Sequence, residues 1–177
     1  MNTENNTYLI DGCCRKDPKA QMELYEGYAK RLYMACFRII GNTAEAEEAM
    51  QDAFLKIFTR ISQYDRTKNF EVWMHRIAVN TAIDYVRKQV PLIEELVENR
   101  IEPKEEDDND AEELTLSVEK VKKGITQLAP GYRLILTLYL FEGYDMEEIA
   151  MILKVKPSTI RTQYMRGKNK LVELMKG

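Results

Sequence analysis

The positions of apolar residues predict α-helices along almost the whole chain. In each long segment they recur at i, i+3, i+4 and i+7, the spacing of one helix face, and no segment shows the sustained alternation of a β-strand. The first block has helices over Lys19–Ile40, Thr43–Ile61 and Phe70–Lys88. The second block has helices over Val118–Gln127, Tyr132–Phe141, Met146–Leu153 and Pro157–Met175. We therefore expect an all-α protein.

Turn-forming and polar residues separate these helices. Gly41 stops the first helix, and Asn42 or Thr43 can cap the second, because short polar side chains accept hydrogen bonds from the first turn of a helix. A polar break follows over Ser62–Asn69. Residues 91–118 are rich in acidic side chains and poor in aromatic ones, which is typical of a solvated linker.

The distribution of charge supports a division into two domains. The chain has 177 residues and a net charge of −3. Residues 1–90 carry a balance of +1, residues 91–119 a balance of −10, and residues 120–177 a balance of +6. We therefore expect an N-terminal tail over 1–18, a helical domain over 19–90, an acidic linker over 91–118 and a second helical domain over 119–177. The basic second domain points to nucleic acid.

Composition excludes several other classes of protein. No apolar stretch approaches the roughly 20 residues of a membrane span, and the N-terminus lacks the pattern of a secretory signal. The three cysteines form no C-x-x-C pair, and His75 is the single histidine, which argues against a zinc site. We find no nucleophile–base set for catalysis. We therefore expect a cytoplasmic protein that is not an enzyme and that has no cofactor, no metal and no membrane insertion.

The last two helices have the apolar spacing of a helix-turn-helix. The positions that lock the two helices together are Ile149, Ala150, Leu153, Val155 and Ile160. Lys154 occupies the turn, where glycine is usual, at a cost of about 1 kcal/mol of left-handed strain. The outward face of the last helix would enter a major groove, and its candidate DNA contacts are Ser158, Thr159, Arg161, Thr162, Met165 and Arg166. The alternative is an ordinary helical hairpin with a solvated basic face.

A second polar face lies on the helix over Phe70–Lys88. Arg76, Asn80 and Arg87 share that face, and amide and guanidinium groups can contact both bases and phosphates. Phe70 and Trp73 are expected in the core of this domain.

These motifs resemble a known family. The sequences AEEAMQDAFLKIF (Ala46–Phe58) and F-x-x-W-x-x-R-I-A-x-N (Phe70–Asn80) are similar to domain 2 of an alternative sigma factor. The segment Leu128–Leu171 is similar to domain 4 of the same proteins. The resemblance is closest to the extracytoplasmic-function group of the sigma-70 family, and it leaves out the first 18 residues and the linker.

The resemblance implies a mechanism and a set of partners. Such a protein binds core RNA polymerase, through the β′ coiled coil and the β flap, reads the −35 and −10 promoter elements, and helps open the −10 region. An anti-sigma factor is a further expected partner. The implied contacts to the β′ coiled coil are Glu47, Glu48, Gln51 and Asp52. The implied contacts to the −10 strand are Tyr64, Arg66, Lys68 and Asn69 in the loop, and Arg76, Asn80 and Arg87 on the helix.

Three other classes of protein compete with this interpretation. A conventional transcriptional regulator would need a ligand or phosphoacceptor domain, of which residues 1–90 show no sign. An enzyme would need a catalytic constellation. A purely structural helical adaptor would have no use for the basic recognition helix.

Overall fold

A computed structural model describes residues 3–89 and 118–176. In this part of the chain the residues form helices and turns without a β-strand, which confirms the all-α prediction. The chain divides into two compact units, residues 1–85 and 86–177. The acidic linker expected over 91–118 lies outside the described residues except for Val118.

The first unit begins with α1 (Thr3–Cys14), α2 (Pro18–Ile40) and α3 (Thr43–Arg60). A 3-10 turn (Ile61–Gln63) and α4 (Phe70–Gln89) follow, and α4 runs past the boundary of the unit.

Local signals explain where these helices begin and end. Asp17 accepts a hydrogen bond from the amide of Lys19 at 2.9 Å, and Pro18 occupies the first turn of α2, where its missing N–H costs nothing. Gly41 ends α2 in the left-handed region, at φ 77°. Asn42 caps α3 by accepting from the amide of Glu45 at 3.1 Å.

The core of the first unit is formed by the inward faces of all four helices. Its fully buried side chains include Leu9, Leu24, Ile39, Ile57 and Met74. Trp73, which was expected in the core, is half-buried. The Phe70 and Trp73 rings stack with their centroids 5.8 Å apart.

The N-terminal segment differs from the sequence prediction. Residues 1–18 were expected to form a tail, but Thr3–Cys14 is helical and packs against α2. Two side chains of this helix, Leu9 and Cys13, are buried. The contact depends on Gly12, because a Cβ atom there would lie 2.4 Å from the Cβ of Ala20, so only glycine lets the two backbones approach this closely.

The described helices of the second unit are α5 (Val118–Gln127), α6 (Pro130–Leu140), α7 (Met146–Leu153) and α8 (Pro157–Lys176). Leu134, Ile135 and Leu138 of α6 are completely buried, as expected of a central helix. The α6 helix starts at Pro130 rather than at Tyr132, because proline is tolerated in the first turn.

Two contacts hold the helices of the second unit together. Arg133 donates hydrogen bonds to the carbonyl oxygens of Thr126 and Leu128, at 3.2 and 3.3 Å, and so satisfies acceptors at the end of α5 that the helix leaves unpaired. Gly167 lies where α8 crosses α6, since a Cβ atom there would be 3.2 Å from the Cβ of Tyr132.

Candidate functional site

The predicted helix-turn-helix is formed by α7 and α8. Asp145 and Glu148 make a capping box at the start of α7, in which the Asp145 carboxylate accepts from the Glu148 amide at 2.7 Å. Lys154 ends α7 at φ 56° and ψ 40°, which is the left-handed turn that its position predicted. Ile149, Ala150 and Ile160 are buried between the helices. The geometry therefore fixes α8 with one face outward.

That outward face carries the predicted DNA contacts. Ser158 and Arg161 are exposed, and Met165 is 46% exposed. The other three, Thr159, Thr162 and Arg166, are half-buried. The Arg161 guanidinium donates a hydrogen bond to the Glu147 carboxylate of α7, and the Thr162 hydroxyl donates to the carbonyl of Ser158 at 3.0 Å. Arg161 is therefore oriented by α7 before any DNA is present.

In the first unit the loop before α4 is ordered by its own polar groups. The Asp65 carboxylate accepts from the hydroxyl of Thr67 at 2.7 Å and from its amide at 3.0 Å. These hydrogen bonds lower the pKa of Asp65, and the charge of Lys68 adds to the effect. Asn69 caps α4, since its side-chain oxygen accepts from the amide of Val72 at 3.1 Å. Lys68 and Asn69 remain exposed.

Tyr64 is placed differently from the sequence prediction. The family resemblance implied a contact with the −10 strand, but the ring packs 5.1 Å from Phe70 and 5.2 Å from Trp73, centroid to centroid. Its hydroxyl donates to the carbonyl of Lys68, and burial raises its pKa. The apolar neighbours turn the ring inward, so Tyr64 supports the loop instead of facing a ligand.

Arg66 is also partnered within the first unit. Its guanidinium donates to the Asp11 carboxylate of α1, and the two side chains are 55% and 41% exposed. That hydrogen bond and the Asp11 charge raise the pKa of Arg66. Nothing in the local sequence signals this pair, which joins residues far apart in the chain.

The polar face of α4 follows the predicted spacing. Arg76 and Asn80 are exposed, and Arg87 is half-buried. Val72 lies one turn before Arg76 and is 64% exposed. An apolar side chain four positions before Arg76, on an otherwise polar face, is the sequence signal for this residue.

The exposed face of α3 carries the predicted polymerase contacts. Glu47, Glu48, Gln51 and Asp52 are all exposed. Leu55 shares their face at i+4 from Gln51 and is 64% exposed, although it was not among the predicted contacts. Tyr85 of α4 hydrogen-bonds to Glu48, and together with the acidic charges of Glu45, Glu48 and Asp52 this raises the pKa of Tyr85 to about 12. We call Glu47, Glu48, Gln51, Asp52 and Leu55 the α3 face.

Comparisons with known proteins assign the family. The chain matches sigma-70 region 2 over residues 24–90 and sigma-70 region 4 over residues 118–171. It is 28% identical over 173 residues to the ECF RNA polymerase sigma factor SigW of Bacillus subtilis, covering 88% of each chain. The chain belongs to the extracytoplasmic-function group of the sigma-70 family. It is an alternative sigma factor.

Further relatives agree with this assignment. The sigma factor SigE of Mycolicibacterium smegmatis is 31% identical over 153 residues, which are 84% of this chain and 59% of that protein. Two solved structures share the fold at a TM-score of 0.50. One is CnrH in complex with the cytosolic domain of CnrY, at 18% identity and 97% coverage of each chain. The other is RpoE in complex with the anti-sigma factor NepR from Bartonella quintana, at 20% identity, covering 88% of this chain and 96% of that one.

Across residues 3–89 and 118–176, no group of three His, Cys, Asp or Glu side chains is arranged to hold a metal ion. Among the described helices, none is both long and apolar enough to span a membrane.

Proposed function

We propose that this sigma factor acts in the cytoplasm and recruits core RNA polymerase to promoters through three separate surfaces. The face of α8 reads the −35 duplex, the loop before α4 and the polar face of α4 bind the −10 strand, and the α3 face binds the polymerase β′ coiled coil. Residues 19–90 and 119–177 are the two functional domains, and residues 91–118 connect them.

The observation that carries the proposal is the helix-turn-helix of α7 and α8. Its outward face presents Ser158 and Arg161, with Arg161 oriented by Glu147. An arginine held at the start of a recognition helix can donate two hydrogen bonds to a guanine edge, which is worth about 1–3 kcal/mol of discrimination.

Support for the −10 assignment comes from the combination of a firm loop and exposed polar groups. Binding an extruded base costs a few kcal/mol of unstacking, so the receiving loop must not itself need ordering. The aromatic cluster of Tyr64, Phe70 and Trp73 anchors this loop to the first unit. Lys68 and Asn69 remain exposed.

Support for a polymerase contact comes from an apolar residue on an acidic surface. Leu55 is exposed within the α3 face. Phe58, three residues further on, lines an open apolar depression of about 430 Å³ with Pro18, Gln21, Met22 and Tyr25. An apolar centre with a polar rim is typical of protein interfaces.

The remaining partners follow from the relatives. CnrH and RpoE are each described in complex with a second protein, which for RpoE is named as an anti-sigma factor. We therefore include an anti-sigma factor among the partners of this chain. The β flap of the polymerase is the expected partner of the second domain.

The first experiment reconstitutes the full chain with bacterial core RNA polymerase and maps the 5′ ends of transcripts made from genomic DNA. We expect a set of starts preceded by shared −35 and −10 elements, which core polymerase alone does not produce. Failure to co-elute with the polymerase, or starts without shared elements, would contradict the proposal.

Variants then separate the three surfaces. Arg161→Ala is expected to weaken binding to the −35 duplex about tenfold, whereas Lys170→Ala, which removes the same charge beyond that face of α8, is expected to have a smaller effect. Asn80→Ala is expected to change the −10 preference on single-stranded DNA and not the −35 preference. Equal losses on both elements would indicate a folding defect.

The polymerase surface has its own test. Leu55→Ala is expected to weaken binding to core polymerase about tenfold, the effect of losing a central interface residue, without changing duplex binding. Met34→Ala is the control, because Met34 is 41% exposed on α2. If the two substitutions have equal effects, the α3 face does not bind core polymerase.

A further inference from the structure

The α1 helix lies outside the part of the chain that matches sigma-70 region 2, which begins at residue 24. It is nevertheless built into the first unit. Leu9 is completely buried and Cys13 is 1% exposed, and the close approach of Gly12 to Ala20 sets the distance between α1 and α2. The side chains of α1 that lie outside the core are therefore carried by a helix with a fixed position in the first unit.

The α1 helix also contacts the 3-10 turn Ile61–Gln63 that leads into the loop before α4. Asp11 accepts a hydrogen bond from Arg66 at this point. The loop backbone is fixed separately, by the hydrogen bonds between Asp65 and Thr67 and by the hydroxyl of Tyr64 on the Lys68 carbonyl. Within this loop, Arg66 is thus the side chain whose orientation depends on α1.

The pairing leaves Arg66 able to bind a ligand. A guanidinium group has five N–H donors in a planar arrangement, and the hydrogen bond to Asp11 engages the Nη2 nitrogen. More than half of the side chain remains exposed. A carboxylate beside an arginine has two effects on nucleic-acid binding: it fixes the plane of the guanidinium, and its charge repels phosphates that approach in other geometries.

We propose that Asp11 is a positioning residue for −10 recognition: it orients Arg66 and opposes non-specific binding of phosphates at the loop. This inference rests on the proposed function of the loop. Asp11 acts through Arg66 and does not itself contact the bases. Its removal frees the arginine to bind any single strand, so affinity rises for the wrong sequence and selectivity falls.

The test measures the affinity of the full chain for two labelled single-stranded oligonucleotides by fluorescence anisotropy. One carries the non-template −10 element found by transcript mapping, and the other is a scrambled sequence of the same composition. The ratio of the two affinities is the selectivity. Asp11→Asn removes the charge and retains the shape of the side chain, and Glu26→Gln makes the same change at an exposed position on α2.

We expect Asp11→Asn to raise affinity for the scrambled strand and to lower selectivity about two- to fivefold, the range that corresponds to an exposed ion pair. Glu26→Gln should leave selectivity unchanged. Arg66→Ala should also lower selectivity, and in that background Asp11→Asn should have no additional effect, because the carboxylate has lost the group that it positions.

Each other outcome overturns a specific step. If Arg66→Ala lowers selectivity and Asp11→Asn does not, the role of Asp11 is wrong and the −10 assignment of the loop stands. If Asp11→Asn has the same effect with and without Arg66, Asp11 does not act through Arg66. If Arg66→Ala leaves selectivity unchanged, the assignment of Arg66 to the −10 strand fails, and the role of Asp11 fails with it.

Discussion

The contact between α1 and α2 allows a quantitative test of the first unit. Replacing Gly12 with alanine places a new Cβ atom 2.4 Å from the Cβ of Ala20. Non-bonded carbon atoms prefer a separation of roughly 3.5–4.0 Å. Neither atom can rotate away, because each is attached directly to its backbone. The two helices must therefore separate by about 1 Å, which weakens the packing around Leu9 and Cys13.

Two opposing terms decide the sign of the effect. Overpacking of this kind costs about 1–3 kcal/mol, while replacing glycine with alanine inside a helix gains at most about 1 kcal/mol. We expect Gly12→Ala to lower the free energy of α1 opening by about 1–2 kcal/mol. Gly27→Ala is the control, since Gly27 is exposed within α2 and should show only the gain.

Amide hydrogen exchange measured by mass spectrometry on peptides that cover α1 is the direct assay, and urea unfolding of the full chain gives the accompanying change in stability. Faster exchange in α1 is expected for Gly12→Ala and unchanged or slower exchange for Gly27→Ala. If Gly12→Ala is at least as stable as the original protein and its α1 exchanges no faster, the new Cβ atom causes no overpacking and the close approach of α1 to α2 is wrong.

Three further predictions concern stability. Lys154→Gly should stabilise the second unit by about 0.5–1 kcal/mol, because Lys154 lies in the left-handed region at φ 56° and glycine adopts that conformation without strain. Gly167→Ala should destabilise it by about 1 kcal/mol, since the new Cβ atom would be 3.2 Å from the Cβ of Tyr132 and that atom cannot yield. Glu71→Gln should reduce the acid sensitivity of the first unit, because the hydrogen bond from Arg31 at 2.8 Å lowers the pKa of Glu71 from its ordinary 4.5. The stabilisation of the folded state by ionised Glu71 is therefore present above that value and is lost as the pH falls through the folded-state pKa.

Urea unfolding checks all three, and for Glu71 it is repeated between roughly pH 5 and pH 3. Arg31 is 64% exposed and Glu71 is 30% exposed, so the pair is partly screened by solvent and the loss in acid is expected to be about 0.5 kcal/mol. Unaltered stability in Lys154→Gly would show that the turn carries no strain. A stabilised Gly167→Ala would show that α6 and α8 can move apart, and an identical pH profile in Glu71→Gln would show that the pair contributes nothing.

Much of the fold was predictable because its signals are local. Gly41 and Asn42 lie next to each other and end one helix and begin the next, and Pro157 marks the first turn of α8. The helix-turn-helix was predictable for the same reason, since the spacing from Ile149 to Ile160 and the face of α8 are contained within a short segment.

The features that the sequence did not reveal depend on contacts between distant residues. Glycine is unfavourable inside a helix, and the advantage of Gly12 is visible only beside Ala20. Tyr64 was expected to contact the −10 strand because the family resemblance places that contact in its loop, but Phe70 and Trp73 turn its ring inward. Arg66 pairs with Asp11, which lies 55 residues earlier in the chain, and no periodicity connects those two positions.

The neighbouring cysteines at the end of α1 make the opening of this helix measurable in real time. Cys13 is buried, and burial, followed by the charges of Cys14 and Asp17, raises its thiol pKa to about 11. Since the thiolate is the nucleophile, an alkylating reagent modifies Cys13 only when α1 leaves its place. Cys14 is exposed and is accessible to the same reagent whether or not α1 opens. The ratio of the two alkylation rates therefore reports how often α1 opens, with an internal standard one residue away.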